Sequence, residues 1–328
     1  MIVFFLAIGE GLAFNKTMKY KGIKKPVILS FVAGMLVMGM LMAVLAYAPN
    51  FTKEETTKPV EVLPLQPVWY ENHHIIKHAL GSIDGKTGTN TISALQENYL
   101  AGERLFEVDL NVTSDGEVVL HHDWEDSGQH YLQFSNGIPS HEEFKQNYKY
   151  YKYPASDLKD LISYMDNHVD AMFVIDTKYT DEISMESIIE KMVVYATEHH
   201  KLDVLDRMII QFYSEEQYAN LKAIHPFKHY MYSLYKEKNK DFEAVSNFCA
   251  TNQIPTVLMK HSWVKDETSL LPFIQQGVKV YLYTTNQLSQ VYEKQALGAY
   301  GFVSDHLQES DLQLKQLLDA QQRKEVQP

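Results

Sequence analysis

The chain has 328 residues, with 30 Lys+Arg against 42 Asp+Glu and a formal net charge of −12. That balance argues against nucleic acid as a ligand, which needs a basic footprint, and against strong attraction to anionic lipid surfaces. A single cysteine, Cys249, excludes any internal disulfide, so the fold must hold by its core.

The first legible element is Val27–Ala48, 22 residues without a charge between Pro26 and Pro49. About 20 apolar residues cross a bilayer's hydrocarbon core as a helix. Ala46-Tyr47-Ala48 has the small-residue pattern of a cleavage site. The run nevertheless exceeds the roughly 7–15 residues of a signal-peptide core and reads as an uncleaved anchor. Lys16, Lys19, Lys21, Lys24 and Lys25 precede it with only Glu10 against them. Cationic flanks stay cytoplasmic, so the expectation is a single-pass membrane protein with residues 1–26 inside and everything after Pro49 outside. Met1–Thr17 is too short in its apolar part to span, and Met18 reads as a second candidate start. Setting aside the five lysines and one glutamate before Pro49 leaves 25 basic against 41 acidic residues, a net charge of −16 for the exterior part. Residues 49–70 hold Pro59, Pro64 and Pro67 and read as an extended linker.

From residue 71 to about 322, short apolar runs alternate with helical patterns. The expected strands are His74–His78, Leu105–Leu110, Val118–His121, Met172–Asp176, Met208–Phe212, His229–Ser233, Thr256–Met259, Val280–Tyr283 and Gly301–Val303. The expected helices include Thr91–Ala101, Asp157–His168, Glu215–Ala223 after a Ser214/Gln217 capping-box pattern, and Gln287–Leu297, which follows Asn286 and stops at Gly298. Strand–helix alternation indicates a parallel sheet with helical crossovers, and the size suits one (β/α)8 TIM barrel. Nine strands are one too many. Leu105–Leu110 and Val118–His121 are joined through Asp115-Gly116, a hairpin signal, so one of them is expected to extend past the barrel mouth. Residues 124–154 show no rhythm and read as an inserted excursion.

Acids and histidines gather at strand ends. Glu107 and Asp109 lie two apart in a strand and share a side; at a barrel mouth such a pair can bind a hard divalent cation. His78, His121-His122-Asp123, Asp176 and Lys178 occupy similar positions on other strands. Barrel active sites are assembled there, and so many charges are hard to place in a core, where unpaired charge is costly. Tyr148, Tyr150, Tyr151 and Tyr153 crowd one segment with Lys149 and Lys152; packing on the barrel is the favoured reading over a headgroup or membrane contact. His73-His74 and His199-His200 lack the acids or spacing of a metal site and read as surface.

Taken in order, His78-Ala79-Leu80-Gly81, Thr89-Asn90-Thr91, Glu107-Val108-Asp109, Val118 to Asp123, Asp176-Thr177-Lys178, Tyr283-Thr284-Thr285-Asn286 and Gly301 to Asp305 resemble the motif series of the glycerophosphodiester phosphodiesterase family. That family lies within the phosphatidylinositol-specific phospholipase C-like superfamily, and the resemblance runs from about residue 74 to 306. It implies an acid–base pair, His78 and His122, with six residues from Gly116 selecting His122 over His121. It implies metal ligands Glu107, Asp109 and Asp176 for a divalent ion such as Ca2+ or Mg2+, and a phosphate-contacting Lys178. The chain departs from the family where Ala79 replaces Arg, Thr89 replaces Glu, and Asp176 stands where Glu is usual, as in a divergent bacterial branch. The implied activity is hydrolysis of glycerophosphodiester or related lipid-headgroup and envelope phosphodiesters, placing the chain in lipid metabolism. The rivals are a phospholipase-D-like activity on lysolipids or sphingolipids, and a non-catalytic surface-binding protein on a retained barrel.

The topology is directly testable. With Val27–Ala48 as an uncleaved anchor, the protein pellets with membranes, and protease added to intact cells removes the barrel; a full-length product in the cytosol would end the idea.

Overall fold

The computed structural model describes residues 68–124, 137–178, 184–237 and 239–313. The expected cytoplasmic segment, the anchor 27–48, the linker up to residue 67 and the last stretch beyond residue 313 lie outside these. Among the described residues no helix is long and apolar enough to cross a membrane.

Among the described residues eleven strands appear in chain order: β1 (Ile75–Lys77), β2 (Leu105–Val112), β3 (Val118–Leu120), β4 (Tyr148–Lys149), β5 (Tyr153–Pro154), β6 (Met172–Thr177), β7 (Met208–Phe212), β8 (His229–Ser233), β9 (Thr256–Lys260), β10 (Lys279–Tyr283) and β11 (Gly301–Ser304). Eight of them, β1, β2 and β6 to β11, pair in parallel in that order. The ring closes where Ile75, Ile76 and Lys77 lie beside Phe302, Val303 and Ser304. The surplus strand is β3, which pairs antiparallel with the far end of β2, Leu110 opposite Leu120. The hairpin is thus an extension of β2 beyond the ring, as the Asp115-Gly116 turn suggested.

Each of the first seven barrel strands is followed by a helix. These are α1 (Ile92–Leu100), a short α2 (His141–Lys145) with α3 (Leu158–Asn167), α4 (Met185–Glu198) with α5 (Leu202–Leu205), α6 (Glu215–Ile224), α7 (Phe242–Thr251), α8 (Leu271–Gln275) and α9 (Leu288–Ala296). Their starts follow local side-chain chemistry. Thr91 Oγ1 accepts the Ala94 N–H to begin α1, and Asp157 and Asp160 form a reciprocal box at α3. At α6 only half of the expected box forms: Ser214 Oγ accepts from Gln217 N at 3.2 Å, while the Gln217 amide oxygen accepts from Tyr213 N. Asn286 does not cap α9. Its side chain turns to β11, donating to Asp305 Oδ2 at 2.6 Å and accepting from Asp305 N at 2.8 Å.

Side-chain alternation along the strands divides the core in two. One residue from each barrel strand (Ile76, Leu105, Val174, Ile209, Met231, Leu258, Tyr281 and Val303) packs in a single cluster with Trp69. Their neighbours, such as Phe106, Val108, Phe173, Ile175, Ile210 and Phe302, belong to the larger cluster shared with the helices. The inner cluster is the filled interior expected of a barrel of this strand number. Trp69, within the last residues read as linker, is buried and stacks on Tyr281 with centroids 5.8 Å apart.

The excursion carries α2 and the small hairpin β4–β5. Tyr153 is buried against Ile83 and Ala94 with Tyr150 packed beside them, while Tyr148 and Tyr151 are exposed. Packing on the barrel therefore accounts for half of the tyrosine cluster. His199 and His200 are on the surface. His74 is not: it is half-buried, with Nδ1 2.9 Å from Glu309.

Gly301 marks the tightest approach. A Cβ there would lie 2.3 Å from Tyr281 Cε1 and 2.8 Å from the His74 carbonyl oxygen. Gly301→Ala is expected to cost about 1–3 kcal/mol, as over-packing does; an unchanged urea midpoint for this variant would contradict the packing described.

Candidate active site

The inner-facing ladder of each strand passes from apolar to polar at the carboxyl ends. Two residues beyond the inner cluster, Leu105 leads to Glu107 and then Asp109, Val174 to Asp176, Ile209 to Gln211, and Ile76 to His78. Period-two geometry alone places these groups over the apolar floor. β2 and β6 run in register, so Asp109 lies beside Asp176. Glu107, Asp109 and Asp176 are all buried, with ligand oxygens within 4.8 Å of one another. They sit under a cavity of about 420 Å3 whose walls include His78, His122, Asp123, Lys178, Gln211, Tyr213, Lys236 and Tyr283.

Each carboxylate has one oxygen tied to a neutral donor. Glu107 Oε2 accepts the Ala79 N–H at 2.7 Å. Asp109 Oδ2 accepts from Asn90 Nδ2 at 2.7 Å, and the Asp109 N–H returns a bond to Asn90 Oδ1. Asp176 Oδ1 accepts from the Tyr213 hydroxyl, which in turn accepts from Gln211 Nε2 at 2.9 Å. The Lys178 ammonium bridges the other oxygens of the two aspartates, 3.0 Å from Asp109 Oδ1 and paired with Asp176 Oδ2.

The charges act on one another strongly. Burial and then the Asp109 charge push the Glu107 carboxyl well above its ordinary range. Burial would raise Asp109 too, but Lys178 first, then His122, His78 and the Asn90 bond, hold it well below. Burial opposes the charged form of Lys178, yet Asp109 and Asp176 keep it protonated. Burial and then Asp176 hold Tyr213 as a neutral phenol.

Both histidines named for the acid–base pair face this cavity, and each has a carboxylate on its Nδ1. His78 donates to Asp305 Oδ1 at 2.7 Å, and His122 donates to Asp123 Oδ2 at 2.6 Å. In each ring Nε2 is left for the cavity. Burial works against protonating His78, but the Asp305 bond and the charges of Glu107 and Asp109 raise it to about 9. His121 turns the other way. It is buried, packs on Trp124 and Phe144 with centroids 4.4 and 5.9 Å away, and lies 2.6 Å from the fully buried Lys149 ammonium. Burial depresses that lysine to about 7.

The turn after β1 is strained: Ala79 and Leu80 adopt φ of +46° and +68°, left-handed values that cost a residue with a Cβ on the order of 1–3 kcal/mol. The strain aims the Ala79 N–H at Glu107. Thr89 is fully buried and pairs with Thr91 Oγ1 at 3.1 Å.

The donor set fits a divalent cation. Three hard carboxylates converge within 4.8 Å with Lys178 between two of them, a donor set that suits a doubly charged ion. Four contributors to the geometry carried no assigned role in the sequence: Asn90, Asp305, Tyr213 and Lys149. Asn90 and Asp305 stand inside the Thr89-Asn90-Thr91 and Gly301-to-Asp305 motifs. Tyr213 and Lys149 act through folding of distant segments and left no spacing signal.

Fold and site together define an eight-stranded parallel barrel enzyme with an acidic cluster at its carboxyl mouth. Residues 81–309 match the glycerophosphoryl diester phosphodiesterase family. The chain belongs to that family of phosphoric diester hydrolases. Similar solved structures include an Oleispira antarctica phosphodiesterase in complex with the product sn-glycerol-3-phosphate, 19% identical over 71% of this chain and 93% of that one, with a TM-score of 0.59. The glycerophosphodiester phosphodiesterases of Thermotoga maritima (16% identity, 74% and 97% coverage, TM-score 0.55) and Agrobacterium tumefaciens (16%, 71% and 96%, 0.53) are also similar. At these identities the likeness is one of fold. No curated protein matches the chain.

Asp109→Asn keeps the shape of the cluster and the Asn90 clamp while removing one charge. Divalent-cation affinity of the metal-free protein is expected to fall by at least about tenfold, the lower end of the losses seen when even outer-shell partners of metal sites are removed. Calorimetric titration reads it, and unchanged uptake would place the cation elsewhere.

Proposed function

We propose that the chain hydrolyses glycerophosphodiesters or related lipid-headgroup and envelope phosphodiesters, with His78 and His122 as the acid–base pair. One observation carries the reading: two histidines face one cavity above three buried carboxylates, each with Nδ1 held by its own carboxylate. A histidine so held has a set tautomer and ring orientation, as a proton-transferring imidazole requires. One of the two takes the proton of the attacking hydroxyl or water; the other gives a proton to the leaving alkoxide oxygen.

Glu107, Asp109 and Asp176 would hold Ca2+ or Mg2+, which when bound supplies Lewis-acid polarisation of a nonbridging phosphate oxygen. Lys178 lies between two of these carboxylates and lines the cavity, where its ammonium meets a second phosphate oxygen. The aromatic wall at Tyr283 suits the carbon skeleton of an alcohol or headgroup. The product named for the Oleispira structure supports a small glycerol-based diester. The uncharged run Val27–Ala48 supports an envelope substrate met outside a single-pass anchor.

A panel of phosphodiesters assayed with and without chelator tests the activity. Turnover that the chelator abolishes and a divalent ion restores is expected; no turnover on any diester with any divalent ion would favour a non-catalytic binding protein. On a working substrate, His122→Ala and His78→Ala each lose about 10²–10⁴-fold in rate. The double variant loses less than the product of the two, since groups acting as a unit are not additive. His121→Ala keeps its turnover and loses stability only. A dead His121→Ala beside a working His122→Ala would exchange their roles.

A further inference from the structure

The third carboxylate is the exceptional one. Asp176 stands where the family motif usually has Glu, so its head is one methylene short, and the sequence alone does not say what fixes it. Glu107 is anchored by a main-chain N–H and Asp109 by a two-way amide clamp. Asp176 is anchored from the next strand by the Tyr213 hydroxyl. That hydroxyl has one proton, given to Asp176, and its lone pair takes the Gln211 Nε2 proton at 2.9 Å. The order of donors in the chain Gln211, Tyr213, Asp176 follows, because a carboxylate can only accept. The arrangement leaves Gln211 Oε1 buried without a partner in the structure. The opposite amide orientation would turn that oxygen toward a hydroxyl whose only proton is committed elsewhere.

We propose that Tyr213, oriented by Gln211, is a positioning residue that fixes the short Asp176 carboxylate for cation binding by holding its Oδ1. This rests on the reading of Glu107, Asp109 and Asp176 as a divalent-cation site. Outer partners of this kind hold a ligand's orientation and typically govern metal affinity by 10–100-fold. Tyr213 takes no part in proton transfer to the substrate, so its loss acts on cation uptake before it acts on the chemical step.

The test is a calorimetric titration of the metal-free full-length chain, in detergent, with Ca2+ and Mn2+, alongside hydrolysis of bis-p-nitrophenyl phosphate. Tyr213→Phe removes only the hydroxyl. It is expected to weaken cation binding by about 10–100-fold and to raise the half-saturating cation concentration for hydrolysis by the same factor. Turnover at saturating cation should return to near the wild-type value. Asp176→Glu in the Tyr213→Phe background, with its longer reach, should recover part of the affinity. Gln211→Met should shift affinity in the same direction by less, and it decides the matter if Tyr213→Phe does not melt cooperatively. Wild-type affinity in the folded Tyr213→Phe protein, or in Gln211→Met where that variant decides, overturns the inference while leaving the cation site standing. A wild-type chain that takes up neither ion removes the cation site itself and this inference with it.

Discussion

Three carboxylates buried within 4.8 Å of one another are the constraint on which the rest of the barrel mouth depends. Like charges at that distance repel strongly where water is scarce, and each carboxylate must also replace the hydrogen bonds it loses on burial. The protein meets the second requirement with neutral donors from three separate sources: a left-handed turn, an asparagine and a tyrosine. It meets the first with one lysine and the charge that lysine shares between two aspartates. Everything else nearby follows from this. Ala79 must adopt a strained conformation to present its N–H, Asn90 must sit at φ +49° to face β2, and His78 inherits a field that favours its protonated form.

The barrel was legible because its signal is repetitive. Short apolar runs alternating with helical patterns define strands without tertiary information, and β7 and β8 fall where the pattern puts them. The surplus ninth strand was resolved by the same logic, since a Gly-containing turn of a few residues can only join antiparallel neighbours. Glu107, Asp109 and Asp176 were legible for the same reason: an acid two residues beyond an inward apolar side chain points into the same space. What escaped was chemistry delivered from a distance. The partner of His78 is 227 residues away, and the donor to Asp176 is 37 away; spacing within a strand carries no trace of either. Asn286 was misdirected by a local rule, because its distant partner Asp305 outcompetes the helix end, whereas Gln217 reaches Tyr213 N, one residue before the expected cap.

The neighbouring histidines show how little separates a cavity residue from a core one. His121 and His122 are chemically alike and adjacent, yet just past the end of β3 they turn to opposite sides. His122 joins Asp123 at the cavity. His121 is enclosed by Trp124, Phe144 and Lys149, and its main chain, through the bond from His121 N to the Asp109 carbonyl at 3.0 Å, ties the hairpin extension to the strand that carries two of the acids. The tyrosine-rich excursion thus reaches the site as a support behind it, with its buried lysine as the contact.

The pairing of His78 with Asp305 joins the first barrel strand to the end of the last. Contacts so far apart in the chain require a long loop to be closed before they contribute. The acidic cluster, by contrast, needs only β2, β6 and β7 with the turn and Asn90 that precede β2. A chain folded from its amino end as far as β10 would already hold all three acids, but with an imidazole lacking its partner. Completion of the ring is therefore written into the site itself: without β11 in place the carboxylates would stand without the oriented histidine.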